Sequence, residues 1–164
     1  MRSEAYGILA ESNLPLIITQ ENAPSEIDDA CAIMQDDFGG AQMLTKHLTD
    51  RNAKRLLWVA PTRAWPAIER REAGIAAALP EGVTLERVEC DEENFAETVA
   101  VIDRALDRHP FPDAILGAND QIAIAALKVL GHRGIDVPGG VQVTGYNDFV
   151  FRNYSTPLLT TITS

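Results

Sequence analysis

Short apolar runs alternate with amphipathic stretches of about ten to fifteen residues along most of this chain, and that rhythm constrains the fold more than any other feature. "RLLWVA" (55–60), "VTLERVE" (83–89), "DAILGA" (113–118) and "VQVTGY" (141–146) read as strands. Between them lie "AWPAIERREAGIAAAL", "NFAETVAVIDRAL" and "QIAIAALKVLGHRG", which read as helices. Phe95, Val99, Ile102 and Leu106 fall at spacings of four, three and four, one face of a helix. Ile68, Ile75 and Leu79 are expected to point inward from the helix before it, and Gly134 to close the helix that starts near Gln121. Upstream, "LPLIIT" (14–19) and "CAIMQ" (31–35) read as short buried strands. "GGAQMLTKHLTDRN" reads as a helix with Met43, Leu44, His47 and Leu48 on one face, and "LLTTIT" (158–163) as a last strand. Strands separated by helices are joined by right-handed crossovers, so the expected class is α/β: a parallel sheet with helices on both faces. Glu86 and Arg87 interrupt their strand and place it near an edge.

Charge and composition narrow the function. The formal net charge of −10 at pH 7 repels phosphate backbones, so this segment alone is not expected to hold DNA. No apolar run approaches the roughly 18 residues of a membrane span. The start, "MRSEAYGILAESN", lacks a continuous apolar segment, which points to the cytoplasm, or to a sequence trimmed at its start, and no membrane partner is expected. Cys31 and Cys90 sit in apolar runs and read as buried free thiols. His47, His109 and His132 are scattered and read as surface residues, so neither a metal nor a cofactor is expected. No dinucleotide fingerprint, P-loop or nucleophile elbow is present. Gly39-Gly40 fits the start of a helix, and Asp36-Asp37 lacks the remainder of a phosphoacceptor or Mg2+ site. An enzyme is therefore not expected.

In open parallel sheets ligands sit beyond the carboxyl ends of the strands. Three such ends here are polar: Pro61-Thr62-Arg63, Asn119-Asp120 and Asn147-Asp148. Together they would form one rim. Spacing alone leaves Asn119 and Asp120 open between helix capping and ligand contact.

The run "DAILGANDQIAIAALKVLGHRGIDVPGGVQVTGYND…TPLLTTI" resembles the effector-binding domain of the LacI/GalR family of bacterial transcription regulators. That family has a strand ending in A-N-D, a G-x-x-V-P turn, a strand ending in G-[FY]-D-[DN], and then P-L-T-T-[IV]. "DDFGGAQMLTKHLTDRNAKRLLWVAP" resembles its D-N-x-x-G-G…HL…G-H-x-x-I stretch, and "ERREAGIAAAL" its R-x-x-G-F-x-x-A-L. The resemblance implies a periplasmic-binding-protein-like type I fold, with two α/β subdomains and an effector in the cleft between them. On that plan residues 1–52 end the N-terminal subdomain and 53–164 make most of the C-terminal one. A helix-turn-helix head is absent, so a fragment is expected.

Carried over by residue, the resemblance makes Arg71 and Asn119 effector ligands. Asn147 stands where most members have an aspartate, a departure. Trp65 and Ala67 fall at positions that often face the pocket; Trp65 either stacks on a sugar ring or packs on the surface. A pocket aromatic should fall near Glu92 to Phe95, and Phe95 itself is read as core. With an amide at 147, Arg71 is expected to be freer to bind an anion, with Arg63 adding to it. The effector expectation therefore leans to an acidic or phosphorylated sugar-like molecule. Asp148 and Asp120 argue otherwise if they point inward, and the second acidic residue is expected to turn toward the backbone. The resemblance also implies a homodimer through Ile124, Leu127, Lys128, Phe151 and Tyr154, with Phe149 alongside. Three functions stand at this stage: the sensing part of a regulator, a periplasmic sugar-binding protein serving a transporter, and a small α/β enzyme.

Overall fold

In a computed structural model of the chain, residues 8, 9, 11, 14–19, 30–62, 65–107 and 111–163 are described. A two-stranded parallel ribbon comes first, β1 (Ile17–Thr19) beside β2 (Cys31–Ile33). Then follow helix α1 (Asp37–Thr49), β3 (Arg55–Pro61), α2 (Pro66–Ala78), β4 (Thr84–Cys90), α3 (Phe95–Ala105), β5 (Ala114–Gly117), α4 (Asp120–His132) and β6 (Gln142–Thr144). A 3-10 turn spans Val150–Tyr154. The main sheet has the order β4-β3-β5-β6, all parallel. β4 lies at its edge, as the charged interruption requires, while β3 is buried from Leu56 to Pro61. A central parallel strand covered on both faces needs such an unbroken apolar run.

The strand order fixes where a ligand would sit. From β3 the chain crosses to β4 on one side, and from β4 it crosses back over β3 to β5 on the other. With right-handed crossovers α2 then lies on one face, and α3 and α4 on the opposite one. The packing agrees: α1 lies along α2, and α3 along α4. The turn of direction between β3 and β5 opens a crevice at their carboxyl ends. Ile102, fully buried, anchors α3, and burial of a side chain of that size contributes about 1.5–3 kcal/mol. Gly134 ends the last helix with φ of 67°, a conformation that costs glycine nothing.

Several expectations are corrected here. Met43 is 67% exposed and His47 only half-buried; the inner face of α1 is Gly40, Ala41, Leu44, Thr45 and Leu48 instead. His132 is exposed, and His109 lies outside the described residues. Cys31 is exposed, because the ribbon that carries it presents both flanking positions to solvent. Cys90 is buried as expected, and burial pushes its thiol up to about 11. "LLTTIT" forms isolated bridges, Thr144 to Thr160 and Asn147 to Thr163, rather than a strand. Pairing cannot spread, because β6 ends at Thr144 and the backbone turns through positive φ at Asn147 (96°) and Asp148 (55°). Leu127, at 9% exposure, belongs to the core, which removes it from any surface patch. Helix α1, placed before the expected boundary at 52/53, lends Ala41 and Leu48 to the core of the main sheet.

Candidate functional site

The crevice is built around a buried cation. Arg71, one turn and a half into α2, is 4% exposed. Its Nε donates to Asp37 Oδ1 at 2.8 Å, Nη1 to the Ala118 carbonyl at 2.5 Å, and Nη2 to Asn147 Oδ1 at 3.0 Å. Its guanidinium carbon stands 3.7 Å from the centroid of the Tyr146 ring, a cation–π contact. One side chain thus ties the start of α1, the end of β5 and the turn after β6.

Each partner is held by local chemistry. Asp36 caps α1 by accepting from the Gly39 N–H at 2.9 Å, which sets Asp37 in the first turn, where the helix end favours a negative charge. Tyr146 Oη donates to the Asp36 carbonyl at 3.3 Å, and burial raises its phenol to about 12. A Cβ at Gly40 would meet that hydroxyl, so the position is closed to side chains. Asn147 adopts its left-handed conformation while its N–H donates to the Ile162 carbonyl at 3.0 Å.

Asn119 caps α4. Its Oδ1 accepts from the Ile122 N–H at 2.9 Å, and its Nδ2 donates to Glu92 Oε2 at 2.9 Å. Trp65, 46% exposed, is the residue before α2, and its Nε1 donates to Glu92 Oε1 at 3.1 Å. Ala67 is half-buried in the first turn of α2 and does not join this cluster. Phe95 packs against the core, with Lys128 Nζ 5.7 Å above its ring. Arg63 lies outside the described residues.

The structure corrects the premise of the anionic effector. Asn147 does not leave Arg71 uncompensated, because Asp37 supplies the counter-charge from the other side. Asp120 turns to the backbone, accepting from the Phe149 N–H at 2.6 Å and from Thr161 Oγ1 at 2.6 Å, and its burial raises its pKa. Asp148 does not; it pairs with the Arg152 guanidinium and accepts from Thr163 Oγ1 at 3.0 Å. Asp37, Tyr146 and Glu92 were missed as site residues. Asp37 carried a signal, since it lies two residues before the helix-opening glycines, but nothing local marks its partner.

Two cavities border the cluster. One of about 940 Å3 runs along α1 past Met43 and Lys46 and, among the described residues, meets the cluster at Asp36, Gly39, Gly40, Tyr146 and Ile162. The other, about 480 Å3, lies over the carboxyl ends of β3 and β4 and is lined by Pro61, Thr62, Trp65, Cys90, Asp91, Glu92 and Glu93. The smaller one is the better candidate, because it lies beyond the carboxyl ends of two strands of the main sheet, next to the switch point, and its lining holds Trp65 and Glu92, the latter bonded to Asn119.

The comparisons with known proteins agree with this architecture. The family described as "Periplasmic binding protein-like domain" matches residues 45–164. The transcriptional regulator CelR of Thermobifida fusca is 33% identical over 132 residues, 77% of this chain and 38% of CelR. The repressor PurR of Histophilus somni is 25% identical over 162 residues, covering 93% of this chain and 49% of the repressor. The chain thus spans half or less of these relatives. A LacI family regulator from Enterococcus faecium, solved with bound ribose, superposes with a TM-score of 0.85 at 20% identity, over 100% of this chain and 61% of that one. Among the described residues no helix is long and apolar enough to cross a membrane. With its parallel sheet, its strand-end crevice and these relatives, the chain belongs to the periplasmic binding protein-like domain family, as the LacI-type transcriptional regulators carry it.

Proposed function

We propose that the chain is the ligand-sensing part of a LacI-type transcriptional regulator, and that a small polyhydroxylated, sugar-like effector binds beyond the carboxyl ends of the main sheet, in the cavity over β3 and β4 and toward the ends of β5 and β6. The observation that carries this reading is Arg71, a buried guanidinium joining three elements at the switch point of the sheet. Trp65, half-exposed in the lining of the cavity over β3 and β4, offers an indole face suited to a sugar ring. Asn119, Asn147, Trp65 and Ala67 remain the site residues of this reading, with Glu92 added. DNA binding would come from a helix-turn-helix head outside this chain. The regulator names of the relatives favour this reading over a transport protein or an enzyme. In it the subdomain division falls before Asp37, since α1 packs with the main sheet.

A homodimer completes the proposal. Phe149, Val150, Phe151, Tyr154 and Leu158 are 41, 73, 41, 82 and 63% exposed, and the 3-10 turn that carries three of them touches α4, the helix of Ile124 and Lys128, an apolar surface suited to a two-fold contact. Calorimetric titration with a panel of neutral pentoses and hexoses tests the site. A saturable signal that Arg71→Met abolishes is expected; titration heats that are flat across the panel, or unaffected by Arg71→Met, would overturn the reading.

A further inference from the structure

One carboxylate at the rim joins more elements than its position after an edge strand requires. Glu92 takes Trp65 Nε1 on one carboxylate oxygen and Asn119 Nδ2 on the other, and its carbonyl accepts from Gln121 Nε2 at 2.7 Å. The loop after β4, the start of α2 and the start of α4 therefore converge on one residue. The Asn119 amide is engaged at both ends, by the Ile122 N–H and by Glu92. Each carboxylate oxygen has two lone pairs, so Glu92 keeps acceptor capacity after both bonds. It lines the 480 Å3 cavity beside the half-exposed indole of Trp65. Thr62, also in that lining, directs its hydroxyl to the Cys90 carbonyl at 3.4 Å.

We propose that Glu92 determines the specificity of this site. It positions Trp65 and Asn119, and it presents acceptor lone pairs to the effector. The group facing Glu92 must then be a hydrogen-bond donor, a hydroxyl or an ammonium, and not a phosphate or carboxylate. The inference rests on the effector-site reading given above. A donor gains a charge-assisted bond, and an ammonium gains in addition the face of Trp65. An anion in the same place meets a like charge within contact distance, which in a half-buried setting reduces affinity by roughly tenfold to a hundredfold.

The test uses Glu92→Gln and Glu92→Ala, each checked for native circular dichroism, with two readouts. The first is acrylamide quenching of tryptophan fluorescence. Trp58 is 2% exposed and Trp65 46%, so the quenchable fraction reports Trp65. Glu92→Ala should increase quenching, because the indole N–H loses its acceptor; unchanged quenching overturns the positioning role. The second is calorimetry with glucose, glucosamine and glucose 6-phosphate as matched probes. The unmodified chain should prefer the first two over the phosphate, and Glu92→Gln should shrink that preference by roughly tenfold or more. If sugars bind but the ratio is the same in both proteins, or if the unmodified chain prefers the phosphate, Glu92 does not set specificity, and the effector site stands without it. If none of the three binds the unmodified chain, the effector-site reading fails and this inference with it.

Discussion

Removing Asp37 isolates the effect of the buried ion pair. Its carboxylate and the Arg71 side chain are 4% and 5% exposed, so Asp37→Ala strands a guanidinium away from water. Breaking a buried pair from one side costs about 3–5 kcal/mol, chiefly because the remaining charge is left uncompensated. Arg71 retains the Ala118 carbonyl, Asn147 and the Tyr146 ring, which places the loss near the lower end, about 3 kcal/mol. Asp37→Asn keeps an oxygen for Nε and loses only the charge, for about 1–2 kcal/mol. In a domain of this size each kcal/mol moves Tm by about 2–4 °C. The expected drops are therefore roughly 6–12 °C for Asp37→Ala and roughly 2–8 °C for Asp37→Asn. Thermal and urea unfolding, the latter with an unchanged slope, measure them. The double variant Asp37→Ala/Arg71→Met removes both charges and should be more stable than the sum of its parts by about 2 kcal/mol. An Asp37→Ala variant within about 1 kcal/mol of the parent, or an additive double variant, would refute the claim that Asp37 neutralises Arg71.

Three further outcomes are expected. A thiol reagent at pH 8 should label Cys31 quickly and Cys90 only on unfolding, since Cys90 is buried with its thiol near 11; two fast thiols would contradict the packing of β4. Asp113 accepts from the N–H groups of Lys54 and Arg55 and from the Arg55 guanidinium, which, mainly through that guanidinium bond, holds its carboxyl below the ordinary value of 3.8. A depressed folded-state pKa gives stability that is complete above 3.8 and lost as pH falls through the folded value. The Tm gap between the parent and Asp113→Asn should therefore narrow from pH 6 to pH 3, and a constant gap would refute the linkage. Tyr154→Asp should shift sedimentation of the chain from dimer to monomer; a parent already monomeric at high concentration would remove the proposed interface.

What the sequence by itself determined were the quantities that local periodicity encodes. The alternation of buried runs and amphipathic stretches gave the parallel sheet, because a strand covered on both faces must be apolar throughout, as Leu56 to Ala60 are. Glu86 and Arg87 marked β4 as an edge, since a central strand would bury them. Spacing offered Asn119 as a cap or a ligand contact alike, and it is the structure that shows the capping bond to the Ile122 N–H. The polar strand ends at Pro61, Asn119 and Asn147 do fall on one edge of the parallel sheet. Tertiary structure alone decided which of these groups meet. Asp37 lies 34 residues from Arg71, and Glu92 lies 27 from both Trp65 and Asn119; no helical or strand spacing relates them. Their pairing follows from the strand order, which folds α2 back over α1 and brings the loop after β4 across the start of α4. The same reason explains Met43 and Cys31. Periodicity says that a segment has an apolar face, but only the packing partners determine how much of that face is covered, and here Ala41 packs at Gly74 of α2 while Met43 stays in solvent.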